Sequence, residues 1–291
     1  MNKKLGQHFL INKSAVKKII SALDLKPNDT VIEIGPGKGV LTFPLMEKCR
    51  KIGCKIIAIE KDKKLFQKLV NSNWQLEIIE GDALKIIPTL ITNYKLPITD
   101  YKIVGNIPYY ITGKLLRLLG ELITNYQLPI TNIVLMIQKE VAERICGMRI
   151  ARLRPSASGN TNGHIRMNLL AAAVQFWAEP KILFTLKPDD FQPPPKVESA
   201  VIKLTTDDKR LTTKFSENYY KLIKILFKQP RKTVFNNLKS GLKIEPNELK
   251  KWLSSHRINP ELRPQNLDLK TLIKLAADFP SLSTNGYFYW Q

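Results

Sequence analysis

The sequence predicts an α/β fold of the Rossmann-like type, with a seven-stranded sheet and a small all-helical C-terminal domain. Short apolar runs alternate with segments of helical spacing up to about residue 204, which is typical of a sheet covered by helices. A glycine-rich turn follows the first run of this sheet, and acidic residues end the next two. Beyond about residue 205 only helical spacing remains. We therefore predict two domains, residues 1–205 and 206–291.

The glycine-rich turn is the run EIGPGKG at residues 33–39. It stands between a strand-like run at 30–32 and a helix-compatible segment at 40–50. Strand, glycine turn and helix in this order favour a nucleotide-like ligand, because glycine permits a tight turn and a close approach of the backbone. The motif alone is weak evidence, since purely structural turns share it.

Acidic residues at two later strand ends strengthen this interpretation. The strand predicted at 56–59 ends on Glu60, which lies 21 residues beyond Gly39. A carboxylate about 20 residues past such a turn is placed to bind ribose hydroxyls. The next strand, at 76–79, runs into Asp82 and Ala83.

The charge of the chain indicates its kind of partner. The 291 residues are long enough for one large and one small domain, and they carry a net charge of +21 with a pI near 9.8. Such an excess indicates a polyanion, either nucleic acid or an anionic membrane surface. A generally basic proteome is the alternative, and we favour nucleic acid.

The cysteines and the hydropathy indicate a soluble cytoplasmic protein. Its three cysteines are odd in number and lack metal-binding spacing, so we expect reduced thiols. Residues 1–20 contain no continuous apolar core of a signal peptide, and no apolar run approaches the ~18 residues of a membrane span. With only three histidines we predict no metal site. We also expect no membrane contact, and a monomer.

The N-terminal run KKLGQHFL, at residues 3–10, has two interpretations. In the first, its lysines would contact phosphate and the segment would fold over a ligand. In the second, the segment is a disordered basic tail that ends in a hydrophobic anchor. Residues 14–23 have helical spacing, with Ser14 near the start.

Two nearly identical segments, LITNYKLPIT at 90–99 and LITNYQLPIT at 122–131, are offset by 32 residues. Two copies are too few for a solenoid. Each precedes a strand-like run, so we interpret both as loop insertions at the edge of the sheet opposite the ligand.

The run GNIPYY at residues 105–110 ends the fourth predicted strand of the sheet and suits methyl transfer to a planar exocyclic amine. Such an amine is a poor nucleophile because its lone pair is delocalised into the ring. The side-chain oxygen of Asn106 and the carbonyl of Pro108 are two acceptors for its N–H groups. Tyr109 would stack on the base. The alternative is a strand-ending turn with a packed tyrosine, and the glycine turn, Glu60 and Asp82 together favour the functional interpretation.

Five runs together resemble the ribosomal RNA adenine dimethyltransferases. They are KLGQHFL at 4–10, EIGPGKG at 33–39, GDAL at 81–84, NIPY at 106–109 and FQPPPKV at 191–197. The resemblance extends from Lys3 to about Leu204 and continues more weakly, notably at 227–233. The proline-rich run particularly resembles the branch that acts on small-subunit rRNA.

This resemblance implies a class I methyltransferase core that uses S-adenosylmethionine. Members of the family convert two neighbouring adenosines near the 3′ end of small-subunit (16S) rRNA to N6,N6-dimethyladenosine, and they are implicated in late small-subunit assembly. The implied partner is therefore that rRNA or the pre-ribosomal small subunit. We expect direct in-line transfer to the N6 of a flipped adenosine.

The resemblance also implies individual roles. His8 and Leu10 would close over the cofactor, and Gly35 would lie behind its methionine part. Glu60 would bind the ribose hydroxyls, Asp82 the cofactor adenine, and Asn106 both cofactor and target. His8 stands where the family often has Asn, which leaves its contact open. The full predicted set adds Gly37 and Ala83 to the cofactor residues, and names Asn106, Pro108, Tyr109 and Phe191 as catalytic.

Two segments of the second half remain ambiguous. Residues 147–166 are interpreted as an insertion, with a flexible linker at 156–163 and arginines that would approach RNA. Phe191, on the proline-rich loop, would form the opposite wall of a slot for the target base, or would instead pack against the sheet edge.

The C-terminal helices are predicted at 218–227, 232–238, 245–255 and 269–277. Arg231, Lys232, Arg257 and Arg263 would add to a surface that faces RNA, or to a solvated helical face. Three other functions compete: a large-subunit (23S) rRNA methyltransferase, a ribosome assembly factor without catalysis, and a nicotinamide dehydrogenase. The last is disfavoured because the glycine pattern is not G-x-G-x-x-G.

Overall fold

The computed structural model describes residues 7–72, 76–93, 100–126, 128–147, 167–206, 213–242 and 244–279. Its strands are β1 Phe9–Leu10, β2 Thr30–Ile34, β3 Lys55–Glu60, β4 Glu77–Glu80, β5 Tyr101–Asn106, β6 Ile130–Gln138, β7 Ala178–Leu186, β8 Phe191–Gln192 and β9 Ser199–Thr206. Its helices are α1 Lys13–Ala22, α2 Thr42–Ile52, α3 Lys63–Val70, α4 Ala83–Asn93, α5 Thr112–Tyr126, α6 Lys139–Ile145, α7 Leu169–Trp177, α8 Thr213–Leu226, α9 Val234–Gly241, α10 Pro246–Ser255 and α11 Leu269–Ala277.

The main sheet has seven strands in the order β4-β3-β2-β5-β6-β9-β7, which confirms the predicted fold class. The first five strands in this order, β4, β3, β2, β5 and β6, are parallel to one another. Strand β9 pairs antiparallel with β6 and β7. Since β2 lies between β3 and β5, the connections leave it in opposite directions. The carboxyl ends of these strands therefore open a crevice at a topological switch point.

Helices cover both faces of the sheet, as parallel strands require. Alternate residues of β2 show this: Val31 belongs to the core shared with α1 and α2, and Ile32 to the core shared with α4, α5 and α7. All five residues of β2 are buried. The strand is thus fixed from both sides and holds the turn that follows it in place.

The C-terminal helices pack directly against the α/β layer. The ring of Tyr219, on α8, stacks on Phe176 of α7 with centroids 4.1 Å apart. Its hydroxyl donates a 2.9 Å hydrogen bond to the carbonyl of Ala172. Residues of all four C-terminal helices belong to the same hydrophobic cluster as α5 and α7. The division at residues 205 and 206 stays a prediction, because one apolar core continues across it.

The loop interpretation of the duplicated segments is wrong for the parts that the structure describes. Leu122, Ile123 and Thr124 are buried in the last turns of α5, and Leu90 is buried in α4. Leu115, Leu119 and Leu122 continue one helical stripe, so the LIT run extends a helix instead of interrupting it.

Residues 94–99 of the first copy lie outside the described residues. So do residues 1–6, almost all of the 147–166 segment, and the tail from 280. In the part of the chain that is described, no helix is both long and apolar enough to cross a membrane.

Candidate active site

A cleft of about 850 Å³, counting its open mouth, lies at the carboxyl ends of β2, β3, β4 and β5. The predicted residues that line it are His8, Gly35, Gly37, Glu60, Asp82, Ala83, Asn106, Pro108 and Tyr109. They come from four strand ends and from the segment before β1. The structure thus brings together residues that are up to 101 positions apart, as the predicted site requires.

The glycine turn is covered by an N-terminal strap, residues 7–11. Gly37 has a φ of +60°, and a Cβ atom there would stand 2.9 Å from Phe9 Cε1. Any larger residue would therefore be strained and would displace the strap. Lys38 Nζ lies 4.8 Å from the centroid of the Phe9 ring, and this cation–π contact also ties the strap to the turn.

Glu60 ends β3 with both carboxylate oxygens engaged. Oε2 accepts a 3.0 Å hydrogen bond from the amide of Gly37, and Oε1 accepts one of 2.8 Å from the amide of Asp62. Burial raises the pKa of this carboxyl, and the two backbone bonds partly oppose that shift. Each oxygen keeps a second lone pair, so the group has acceptor capacity for hydroxyls in the cleft.

Asp82 lies just beyond β4. Its Oδ1 accepts a 3.0 Å bond from the amide of Leu84, and its Oδ2 pairs with Lys61 Nζ at 2.8 Å. Burial acts to raise the pKa of Asp82, but the bonds from Lys61 and Leu84 outweigh it and lower the pKa below its usual value. The group is therefore an ionised acceptor at the rim of the cleft.

Asn106, at the end of β5, joins the strap to the strand. Its Nδ2 donates a 2.6 Å hydrogen bond to the backbone carbonyl of His8. The amide nitrogen is used by the strap, and the side-chain oxygen remains as the acceptor for an amine in the cleft. The adjacent Pro108 carbonyl already accepts a 3.0 Å bond from the amide of Ile111, so only its second lone pair remains for a target.

Tyr109 begins the short 3₁₀ turn Tyr109–Ile111. Its ring is stacked with the ring of His8, with centroids 6.2 Å apart and an interplanar angle of 26°. Its hydroxyl is 2.9 Å from Ser199 Oγ. His8 Nδ1 in turn donates to the carbonyl of Pro193 at 2.8 Å. The strap, the turn after β5 and the proline-rich loop are thus one hydrogen-bonded unit.

Leu10 and Phe191 lie away from this cleft. They face each other in the antiparallel pair of β1 and β8, and they are 4% and 3% exposed. Both pack in the core that includes Val16 and Val201, and neither is among the described residues that line the cleft. This position favours the interpretation of Phe191 as a packing residue. Its role as a slot wall stays a prediction without support from the geometry.

Two buried residues near the site, Glu33 and Ser199, had no predicted role. Glu33 is 1% exposed, and burial raises its pKa to about 8. Its Oε1 accepts a 3.1 Å bond from Thr42 Oγ1, and no described residue is a partner for its buried Oε2. The glycine motif contains Glu33 but carries no signal of its protonation. The sequence contains no pattern that indicates a role for Ser199 either, because its hydrogen-bond partner, Tyr109, is 90 residues away.

These residues fit an adenosine-containing cofactor. Glu60 offers acceptors for two hydroxyls, Asp82 is an anionic acceptor for an amine, and Gly35 and Gly37 of the turn line the same cleft. No group of three or more His, Cys, Asp or Glu side chains that would hold a metal ion occurs in the described ranges.

A mixed sheet of this order, with a glycine turn and acidic strand ends around one cleft, defines the class I methyltransferases. A family model described as "Ribosomal RNA adenine dimethylase" matches residues 1–277. The chain belongs to this family.

Two bacterial relatives support the assignment. A protein of Dehalococcoides mccartyi named "Ribosomal RNA small subunit methyltransferase A" is 35% identical over 283 residues, 95% of this chain and 88% of the relative. A protein of the same name from Mycoplasma mycoides subsp. mycoides is 34% identical over 93% of this chain and 94% of its own length.

Two solved structures share the fold. A dimethyladenosine transferase from Plasmodium falciparum has a TM-score of 0.66 and 26% identity, and the match covers 94% of this chain and 97% of that one. A 23S rRNA methyltransferase has a TM-score of 0.65 with 20% identity, over 92% and 98% of the two chains. At that identity the second likeness shows the fold alone.

Proposed function

We propose that this protein transfers methyl groups from S-adenosylmethionine to the N6 atoms of two adjacent adenosines near the 3′ end of small-subunit (16S) rRNA. The product is N6,N6-dimethyladenosine. One observation carries the proposal: Asn106 and Tyr109 line the same cleft as Gly37, Glu60 and Asp82. An acceptor and an aromatic ring for a base therefore lie beside the groups that fit a nucleoside cofactor.

The cofactor, when bound, would supply a methyl group on a sulfonium sulfur, and the neutral thioether that remains is the leaving group. Glu60 would hold its ribose hydroxyls, and Asp82 its adenine amine. Gly35 and Gly37 would allow its methionine part to approach the backbone. The strap contributes His8 at the side of the cleft, and its carbonyl fixes the amide of Asn106.

The chain's own residues act on the target amine by orientation. The Asn106 side-chain oxygen accepts one N–H of the exocyclic amine, and the free lone pair of the Pro108 carbonyl accepts the other. With both N–H bonds held, the amine lone pair turns out of conjugation with the ring and becomes nucleophilic. Tyr109 stacks on the base face, which offsets part of the cost of flipping it out. No general base is required, since the methylated amine is acidic enough to lose its proton after attack.

An RNA partner accounts for the charge. The chain has a net charge of +21. An exposed basic group around the start and end of α9 contributes to it, formed by Lys228, Arg231, Lys232 and Lys239. Arg257 and Arg263 are exposed as well. We infer that these side chains contact phosphates of the small-subunit rRNA or of its precursor particle.

We also infer that the protein acts as a monomer in the cytoplasm. The described cysteines are all free, in keeping with a reducing compartment.

The deciding experiment is to incubate the protein and tritiated cofactor with undermethylated small subunits and, separately, with large subunits, and to map the methyl groups. The proposal predicts two adjacent dimethyladenosines near the 3′ end of 16S rRNA. Methylation of 23S rRNA instead would support the large-subunit alternative. Binding to small subunits without methyl transfer would support an assembly factor, although the intact NIPY turn argues against that.

A further inference from the structure

Ser199 stands at the side of the candidate site and belongs to none of the motifs that define it. It is the first residue of β9, where it pairs with Gln138 of β6 and Leu186 of β7. Strands on both sides therefore fix its backbone, and it is 2% exposed. The backbone of the preceding residue, Glu198, is fixed too, because its carbonyl accepts a 3.0 Å hydrogen bond from the amide of Lys139.

The hydroxyl of this rigid serine is 2.9 Å from the hydroxyl of Tyr109. The backbone of Tyr109 is held at its other end by the 3₁₀ turn, in which Pro108 accepts from Ile111 at 3.0 Å. The tyrosine ring is thus anchored at both ends, at the backbone by the turn and at the hydroxyl by the sheet. An aromatic side chain held in this way has little rotamer freedom left to lose when a base stacks on it.

We propose that Ser199 is a positioning residue for the methyl-transfer reaction, which holds the Tyr109 ring as a preoriented stacking face for the target adenine. The inference rests on the proposed function, since it gives Tyr109 the same task. It adds that β9 serves the target side of the site through Ser199, whereas Phe191 of the preceding proline-rich loop is buried in the core.

The test is a double-mutant cycle with Tyr109→Phe, Ser199→Ala and the combination of the two. Both single changes delete the same hydrogen bond and keep the ring. The readout is single-turnover methyl transfer to undermethylated small subunits at saturating cofactor, over a range of subunit concentrations. Calorimetry of cofactor binding shows that each variant is folded with an intact cofactor side. Ser216→Ala, which removes another fully buried serine hydroxyl in α8, is the matched control.

We expect each single variant to lower the ratio of limiting rate constant to half-saturating subunit concentration by about three- to tenfold, as the loss of one hydrogen bond implies. The double variant is expected to be no worse than either single one, and cofactor affinity and Ser216→Ala are expected to match the wild type. Singles within twofold of the wild type, or losses that multiply in the double variant, would overturn the inference.

Tyr109→Ala separates this inference from the proposed function. If Tyr109→Ala is strongly impaired while Tyr109→Phe and Ser199→Ala are not, the ring acts without its anchor and only the role of Ser199 falls. If Tyr109→Ala keeps wild-type values, the stacking step of the proposed function falls, and the role of Ser199 falls with it.

Discussion

The amide of Gly37 donates a 3.0 Å hydrogen bond to Glu60 Oε2, and this bond ties the glycine turn after β2 to the end of β3. The carboxylate that is proposed to bind the cofactor therefore also shapes the turn on which the cofactor would lie. The sequence indicated both residues by their spacing, and the structure shows that they are in contact.

Glu60→Ala should weaken binding of S-adenosylmethionine by about 1.5–3 kcal/mol, the range for hydrogen bonds to a charged group. Isothermal calorimetry measures the change. Glu60→Gln is the control, because it keeps one acceptor for the Gly37 or Asp62 amide and should lose less. Unchanged cofactor affinity in a folded Glu60→Ala variant would remove Glu60 from the site.

Glu33 should make the stability of the protein fall as the pH rises. The folded pKa of Glu33 is about 8, above its ordinary value of 4.5, because of burial, with a smaller contribution from Glu60. Between these two values the folded state holds a proton that the unfolded state has lost. The free energy of unfolding therefore decreases with pH in this window, by at most about 1.4 kcal/mol per pH unit.

Urea unfolding of the wild type and of Glu33→Gln at pH 5.5 and pH 8 tests this. The glutamine variant should lose less stability over that interval, because its buried amide does not ionise. The shift at Glu60 is common to both proteins and cancels in the comparison. Parallel pH profiles would show that Glu33 does not titrate with the raised pKa.

Much of the fold was predictable because local signals agreed with it. The apolar runs that became β2, β3 and β5 end on Ile34, Glu60 and Asn106, within two residues of their predicted ends. Their parallel order places the ends at one edge, so the sequence predicted that Glu60 and Asn106 lie around one cleft.

The positions that local patterns did not predict depend on distant partners. Leu10 and Phe191 pair across 181 positions, and both side chains are buried in the core; their predicted roles at the site stay predictions. Ser199 reaches Tyr109 in the same non-local way. The duplicated runs misled because each precedes a strand-like run, as a connecting loop would, whereas Leu90, Leu122 and Ile123 are buried in α4 and α5.

The junction between the α/β layer and the C-terminal helices should depend on Tyr219, which is fully buried. Tyr219→Ala removes its stacking on Phe176 and leaves a cavity, so we expect a loss of about 3–5 kcal/mol in the free energy of unfolding. Tyr219→Phe, which keeps the ring and loses the hydrogen bond to the Ala172 carbonyl, should cost about 1 kcal/mol. Equal, small effects in both variants would mean that the helices dock independently of this contact.

RNA binding should be strongly dependent on salt. With a net charge of +21, phosphate contacts and counterion release should supply much of the affinity, so log Kd should rise steeply with log salt concentration. Titrations of small subunits over a salt series, with the wild type and with Lys232→Ala, measure the slope. The variant should bind more weakly with a slope reduced by about one. A flat response of the wild type would point to a substrate other than RNA.

The chemistry of the Asn106 turn is the central claim, and single-turnover methyl transfer to undermethylated small subunits at saturating cofactor tests it most directly. Asn132→Ala is the matched control: Asn132 is buried and, like the half-buried Asn106, donates its side-chain amide to a backbone carbonyl, that of Leu23 at 3.3 Å, but at the opposite edge of the sheet. Circular dichroism confirms folding. If Asn106 orients the target amine, Asn106→Ala should lower the rate constant by about 10²–10³ while Asn132→Ala changes mainly stability. An Asn106→Ala enzyme that is folded and keeps most of the wild-type rate constant would contradict the account.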